Sequence, residues 1–123
     1  GECYVFVKSF FNYFNNFYVF SDFDDIIETS KLNLKIESDL KNIQIQRVDY
    51  TNFNLNFNLD SVLILNVSQI SKPYLDIINQ IRPDLLIIIN CKKIINIQRY
   101  LKYDCIVKVS NILNINIYDI RKT

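Results

Sequence analysis

Three acidic residues follow an aromatic, strand-like segment near the start of the chain. The segment is Phe17-Tyr18-Val19-Phe20, and after Ser21 come Asp22, Asp24 and Asp25. Carboxylates at the end of a strand are ligands for Mg²⁺ in phosphoryl-transfer sites, so this spacing allows a metal-dependent enzyme that uses Asp22 and Asp24. The alternative is that these carboxylates occupy the first turn of a helix and stabilise its positive N-terminal dipole. We favour the helix interpretation.

A second group of residues with side chains suited to binding or catalysis is Cys91-Lys92-Lys93, which follows an apolar run. Lysines at the end of a strand can contact phosphate or an RNA backbone as point charges, and a solvated loop is the alternative. A thiol beside two lysines can become reactive, although such a cysteine more often packs as a small apolar residue. The other basic residues that we assign to RNA contact are Arg47, Arg121 and Lys122.

The residue types that the chain lacks exclude several kinds of site. It has no histidine, so a Ser-His-Asp or Cys-His arrangement and the commonest zinc ligand sets cannot form. Its one glycine is Gly1, whereas the phosphate loops of nucleotide sites need glycines where the backbone turns tightly. The three cysteines, Cys3, Cys91 and Cys105, have no CxxC spacing and fit reduced thiols inside a cell. We therefore predict a protein that is not an enzyme and binds no nucleotide, metal or other cofactor.

Composition indicates one folded domain over residues 1–123. Half of the residues are hydrophobic and 14% are aromatic, which is enough apolar surface for a core. The chain has 21 Ile, 16 Asn and no Ala. This composition is typical of proteins encoded by an AT-rich genome, such as that of an organelle, endosymbiont or parasite. The net charge of +1 argues against a DNA-binding domain. Polar residues such as Lys8 and Asn12 interrupt the N-terminal aromatic segment, so we predict no membrane span.

The hydrophobic pattern divides the chain into short elements. Helices are predicted over about 6–16, 24–34 and 94–103, and between a cap at Ser71 and a stop at Arg82-Pro83. Strands are predicted over 17–20, 43–48, 61–66, 85–89 and 105–109. Two buried strands joined through a helix imply a right-handed parallel crossover. We expect an α/β, Rossmann-like domain with a mostly parallel sheet of four or five strands and helices on both faces, the last three strands being parallel neighbours.

An aromatic stripe lies in and after the first predicted helix. Its members, at helical spacing, are Phe10, Phe11, Phe14 and Phe17. Burial of this stripe in the core is the favoured interpretation, and a docking face for a partner protein is the alternative.

Four segments of the chain come in an order that is known from one family. They are Phe17 to Glu28, Ile43 to Arg47 with Thr51-Asn52-Phe53, Pro83 to Ile89, and Ile106 to Asn111. Together they resemble a shortened, organelle-like form of the small-subunit ribosomal protein S-two, although the family's long helical hairpin and terminal Pro-Gly-Asn-Asp segment have no counterpart. The resemblance implies a non-catalytic structural component of an organellar, mitochondrial small ribosomal subunit, with ribosomal RNA and ribosomal proteins as partners.

Another pair of segments is similar to a different family. Asp60 to Asn66 and Pro73-Tyr74-Leu75 resemble the Asp-led strand and the Pro-x-Leu helix of the molybdopterin-enzyme-like domain in the large peripheral-arm subunit of respiratory complex I. That family's Gly-Thr-Asn-Pro-Arg turn is replaced by Asn66-Val67-Ser68-Gln69-Ile70. This resemblance implies a structural domain of a respiratory complex. The ribosomal function is our prediction, with the respiratory domain and the Asp22 and Asp24 enzyme as alternatives.

Overall fold

The structure, a computed structural model, describes residues 2–22, 42–47, 60–91, 97–101, 105–112 and 115–120. In chain order they form the helix α1 (Glu2–Phe10), the strands β1 (Asn16–Ser21), β2 (Asn42–Arg47) and β3 (Ser61–Asn66), the helix α2 (Lys72–Ile81), the strand β4 (Leu85–Ile89), a 3-10 helix (Ile97–Tyr100), and the strands β5 (Cys105–Ile112) and β6 (Ile115–Ile120). All five predicted strands are confirmed, and β6 is an additional strand.

The six strands form one sheet in the order β2-β1-β3-β4-β6-β5. The first four strands in this order are parallel to one another, whereas β6 runs antiparallel to both β4 and β5. The protein is therefore an α/β protein with a mostly parallel sheet. We call the side at which β1 to β4 end the carboxyl edge, and the side at which they begin the amino edge.

The predicted parallel neighbours are confirmed for β3 and β4 but wrong for β5. Val62 lies opposite Leu85 and Asn66 opposite Ile89, in parallel register. The strand β5 points in the same direction as β4, but β6 lies between them. Because only residues 113–114 separate β5 from β6, the two strands pair as an antiparallel hairpin, and β6 takes the place beside β4.

Each face of the sheet carries a hydrophobic cluster. On one face, α2 buries Tyr74, Ile77, Ile78 and Ile81 against alternate strand residues that include Leu63, Leu65, Leu86 and Ile88. On the other face, Val7 of α1 is buried with Phe17, Val19, Val62, Ile64, Ile87 and Ile89. Every residue of β3 is buried, which confirms the strand covered on both faces. Helices thus lie on both faces, and the predicted helix over 24–34 lies outside the described residues.

The first helix is displaced from its predicted position of about 6–16. It ends at Phe10, because the chain then turns with the Tyr13 N–H donating to the Phe10 carbonyl at 3.0 Å. The N–H groups of Asn15 and Asn16 donate to the Asp60 carbonyl, which starts β1 beside β3. Aromatic spacing alone could not separate this helix from the strand that follows.

The helix α2 lies where the Pro73 signal predicts it. Ser71 is its N-cap in an extended conformation, but its side chain makes no capping hydrogen bond. Arg82 ends the helix in the left-handed region, with its N–H donating to the Ile78 carbonyl at 2.9 Å. Of the predicted helix over 94–103, the described part is the short 3-10 helix. No helix in the described ranges is long and apolar enough to cross a membrane.

Candidate functional site

The topology places the candidate site at the carboxyl edge, between β1 and β3. The strand order reverses there, because β2 lies on one side of β1 and the chain returns to β3 on the other side. In open parallel sheets, ligands bind outside the carboxyl ends of the strands at such a reversal. At this edge β1 ends at Ser21 and is followed by Asp22, β3 ends at Asn66 and is followed by Val67, and β4 is followed by Asn90 and Cys91.

Backbone hydrogen bonds continue across the strands at this edge. The Asp22 N–H donates to the Asn66 carbonyl at 3.3 Å, and the Val67 N–H donates to the Ile89 carbonyl at 3.3 Å. Because these bonds extend the strand pairing by one residue, the ends of β1, β3 and β4 are held at fixed positions relative to one another.

Two asparagines bridge the ends of β3 and β4. The Asn90 Nδ2 donates to the Asn66 Oδ1 at 3.0 Å. Asn66 is only 1% exposed, so its side-chain carbonyl oxygen has little access to water, and the bond from Asn90 replaces hydration that burial removes. Asn90 has a φ of 64°, in the left-handed region that asparagine tolerates better than most residues. The backbone turn after β4 therefore aims the Asn90 side chain at Asn66.

Tyr74 and Asp22 connect α2 to the end of β1. The Tyr74 hydroxyl donates to the Asp22 Oδ1. Tyr74 is 2% exposed, and a buried phenol usually requires a hydrogen-bond partner for its hydroxyl. Asp22, which is itself exposed, supplies that partner at the surface of the hydrophobic cluster. The carboxylate that was a candidate magnesium ligand thus accepts a hydrogen bond that positions α2.

Replacing Tyr74 with phenylalanine is expected to lower the free energy of unfolding by about 1 kcal/mol, because one side-chain hydrogen bond is removed and the ring remains. Urea unfolding followed by circular dichroism measures the change. The matched control is Tyr13→Phe, because Tyr13 is 74% exposed. Equal unfolding midpoints for Tyr74→Phe and the unmodified protein would contradict a stabilising role for this bond.

The other acidic candidates, Asp24 and Asp25, lie outside the described residues. Within the described ranges, no group of three or more cysteine, aspartate or glutamate side chains is arranged to hold a metal ion. The alternative of a metal-dependent enzyme that uses Asp22 and Asp24 therefore stays a prediction.

Of the basic candidates, Arg47 is the one within the described residues. Arg47 is the last residue of β2 and lies opposite Ser21 in the backbone register, at the carboxyl edge. Lys92 and Lys93 follow Cys91 in the sequence but lie outside the described residues. Because β6 is antiparallel to β4, it ends at the amino edge, and Arg121 and Lys122 come next in the sequence, also outside the described residues.

Cys91 is a core residue in the described part of the chain. It is 1% exposed and belongs to the same hydrophobic cluster as α2. This position agrees with the interpretation as a small packing residue.

The aromatic stripe covers the second face of the sheet. Phe17 is fully buried in β1, so it is not available to the docking face that was the alternative interpretation. Phe10, Phe11 and Phe14 are partly buried against the same cluster. The rings of Phe11 and Phe17 stack with their centroids 6.2 Å apart, and those of Phe10 and Phe14 meet edge to face at the same distance. These contacts support the core interpretation of the stripe.

The sequence did not predict the hydrogen bonds between these side chains. The turns after β3 and β4 were recognisable because each buried apolar run ends in asparagine. Nothing in the sequence indicated that Asn66 pairs with Asn90, or that Tyr74 reaches Asp22 across 52 positions. Those pairings depend on the order of the strands in the sheet.

Comparisons with known proteins give no match for this chain. No family model matches the sequence, and no curated protein or solved structure matches the chain. The two family resemblances therefore remain hypotheses.

Proposed function

We propose that this chain is a non-catalytic structural component of an organellar, mitochondrial small ribosomal subunit. The observation that supports the proposal is the bonding at the carboxyl edge. Tyr74 donates to Asp22, and Asn90 donates to Asn66, so these side chains hold strands and helix together. Groups at this edge bind the ligand in α/β enzymes. Their use in internal bonds suits a scaffold whose function is to present a surface.

The arrangement of the parallel strands supports a Rossmann-like classification of the sheet within this proposal. The order β2-β1-β3-β4, with the reversal between β1 and β3, is the order of the first four strands in one common doubly wound fold. The pair β6 and β5 then extends the sheet with antiparallel strands. A doubly wound sheet with one such extension is common among α/β proteins.

Contact with ribosomal RNA is assigned to local basic groups, because the net charge of the whole chain is only +1. The first group is Arg47, at the carboxyl edge, together with Lys92 and Lys93, which are adjacent to each other in the sequence. The second group is Arg121 and Lys122. Such side chains bind phosphates and position a protein on RNA without reading its sequence. Neighbouring ribosomal proteins are the other partners in this proposal.

Sedimentation of the tagged protein from its own cell tests the proposal. RNA sequencing and mass spectrometry of the fraction are expected to recover small-subunit ribosomal RNA together with ribosomal proteins. The double variant Lys92→Glu, Lys93→Glu is expected to reduce the recovered RNA several-fold, because it replaces two phosphate-binding charges with repulsive ones. The matched control reverses two exposed charges elsewhere, Lys8→Glu and Arg99→Glu.

The same fraction distinguishes the second candidate function, a structural domain of a respiratory complex. That candidate is favoured by the order of β3 and α2, in which the buried strand after Asp60 is followed by a helix with Pro73 in its first turn. Recovery of respiratory-complex subunits without ribosomal RNA would contradict the ribosomal proposal and support this one.

A further inference from the structure

Asn116 is a fully buried polar residue of the sheet. It is 0% exposed in β6, where it lies opposite Ile88 of β4 and Asn111 of β5. In the part of the chain that the structure describes, neither its Nδ2 nor its Oδ1 has a hydrogen-bond partner. A buried amide without partners retains the cost of its lost hydration. The strand β6 therefore carries a cost that would be relieved if it left the sheet.

In the described part of the chain, the hairpin of β5 and β6 pairs with one other strand, β4. It joins the parallel part through one antiparallel pairing, in which Ile115 to Asp119 lie opposite Ile89 to Leu85. The register between β5 and β6 shifts twice, between Cys105 and Val107 and between Lys108 and Ser110. Because β5 is the last strand in the order of the sheet, it has one described neighbour.

In the parallel part of the sheet, β1 to β4, the strands pair without a register shift. The strand β1 pairs with β3 over six consecutive residue pairs, from Asn16 and Ser61 to Ser21 and Asn66, without a register shift. Both strands are buried on both faces. Regions with many buried apolar contacts open only with global unfolding, whereas regions with interrupted pairing open at lower free energy. The two parts of the sheet should therefore differ in local stability.

We propose that the hairpin of β5 and β6 is a separately opening unit, which leaves β4 as one piece while β1 to β4 stay folded. Hydration of the Asn116 amide favours the open state. Loss of the β4 pairing and of the packing of Tyr118, Ile115 and Ile117 in the two hydrophobic clusters opposes it. Opening exposes one side of the apolar strand β4, and an uncovered strand edge is a template for pairing with another strand. This local opening of the hairpin is independent of the proposed ribosomal function.

Native-state hydrogen exchange measured by nuclear magnetic resonance tests this inference. Amides of β5 and β6 are expected to show protection factors at least about tenfold below those of β1 and β3, since they exchange through local opening. Alternate amides of β4 point to β6 and to β3, which provides a comparison within one strand. Those that face β6 should exchange with the hairpin, and those that face β3 should exchange with β1. Equal protection in all six strands would overturn the inference.

Substitutions at Asn116 and at Val19 test whether the hairpin opens separately from the rest of the sheet. Asn116→Leu removes the buried amide at similar volume and is expected to raise the protection of β5 and β6 about tenfold or more. Asn116→Val serves the same purpose if the leucine variant does not fold. The control is Val19→Ala, in β1, which has β3 and β4 between it and β6. It should lower the protection of β1 and β3 and leave that of β5 and β6 unchanged. An equal decrease in all strands would show that the hairpin does not open separately.

Discussion

Replacing Ile64 with alanine is expected to lower the free energy of unfolding by about 2–5 kcal/mol, because it removes buried methyl groups and leaves a cavity. Ile64 is 0% exposed in the middle of β3. It lies opposite Val19 of β1 and Ile87 of β4, which belong to the same hydrophobic cluster. Since neighbouring strands flank it on both sides, the surrounding chain has little freedom to close the cavity.

Urea unfolding followed by circular dichroism measures this loss. The control is Val5→Ala, which shortens a side chain that is 58% exposed in α1 and should change the unfolding free energy by less than about 0.5 kcal/mol. A decrease below about 1 kcal/mol for Ile64→Ala would fall outside the range for a well-packed core residue and would contradict the position of β3 at the centre of the sheet.

Replacing Asp84 with alanine is expected to cost about 1–3 kcal/mol, because it leaves a buried backbone N–H without its partner. The Asp84 Oδ2 accepts a hydrogen bond from the Ser61 N–H at 3.0 Å. The Asp84 N–H donates to the Ser61 carbonyl at 2.9 Å, so the two residues join the starts of β3 and β4 at the amino edge. Ser61 is 0% exposed, and water therefore cannot readily replace the lost acceptor.

The variant Asp84→Asn separates the hydrogen bond from the charge. Its side-chain carbonyl can still accept from the Ser61 N–H, so it should lose less than half of the stability that Asp84→Ala loses. Asp76→Ala, at an exposed position on α2, controls for the removal of an acidic side chain. Equal losses for the asparagine and alanine variants would show that the carboxylate charge, and not the acceptor, stabilises this edge. Thermal unfolding of the four proteins provides the comparison.

Local sequence was sufficient where one element carried its own signal. The apolar runs of β3 and β4 are too short for helices and lack a polar face, so strands covered on both sides were the consistent interpretation. In α2, Pro73 and the spacing of Tyr74, Ile77 and Ile81 define both the start and the buried face. These features arise between residues close in the chain, which is why the pattern predicts them.

Local sequence was insufficient where a pattern fitted two structures. The phenylalanines near the N-terminus fit a helical stripe, but the stripe continues into a strand that begins at Asn16. The alternation of Ile115, Asn116, Ile117 and Tyr118 fits a strand, yet its asparagine content resembles a loop. The pairing with β4 stabilises the strand in this second case, and that pairing is not encoded within six residues.

The amino-acid sequence by itself determined which segments become apolar strands and which chemical groups the protein has at all. It contains no histidine and has glycine only at position 1, and each of the apolar runs of β3 and β4 is followed by an asparagine. Only the tertiary structure decided which of these groups meet. The bond from Tyr74 to Asp22 and the bond from Asn90 to Asn66 exist because β1, β3 and β4 are adjacent at their carboxyl ends. The burial of Asn116 likewise follows from the insertion of β6 between β4 and β5. Residue types and short-range periodicity are properties of the chain, whereas strand order depends on the balance of all long-range contacts.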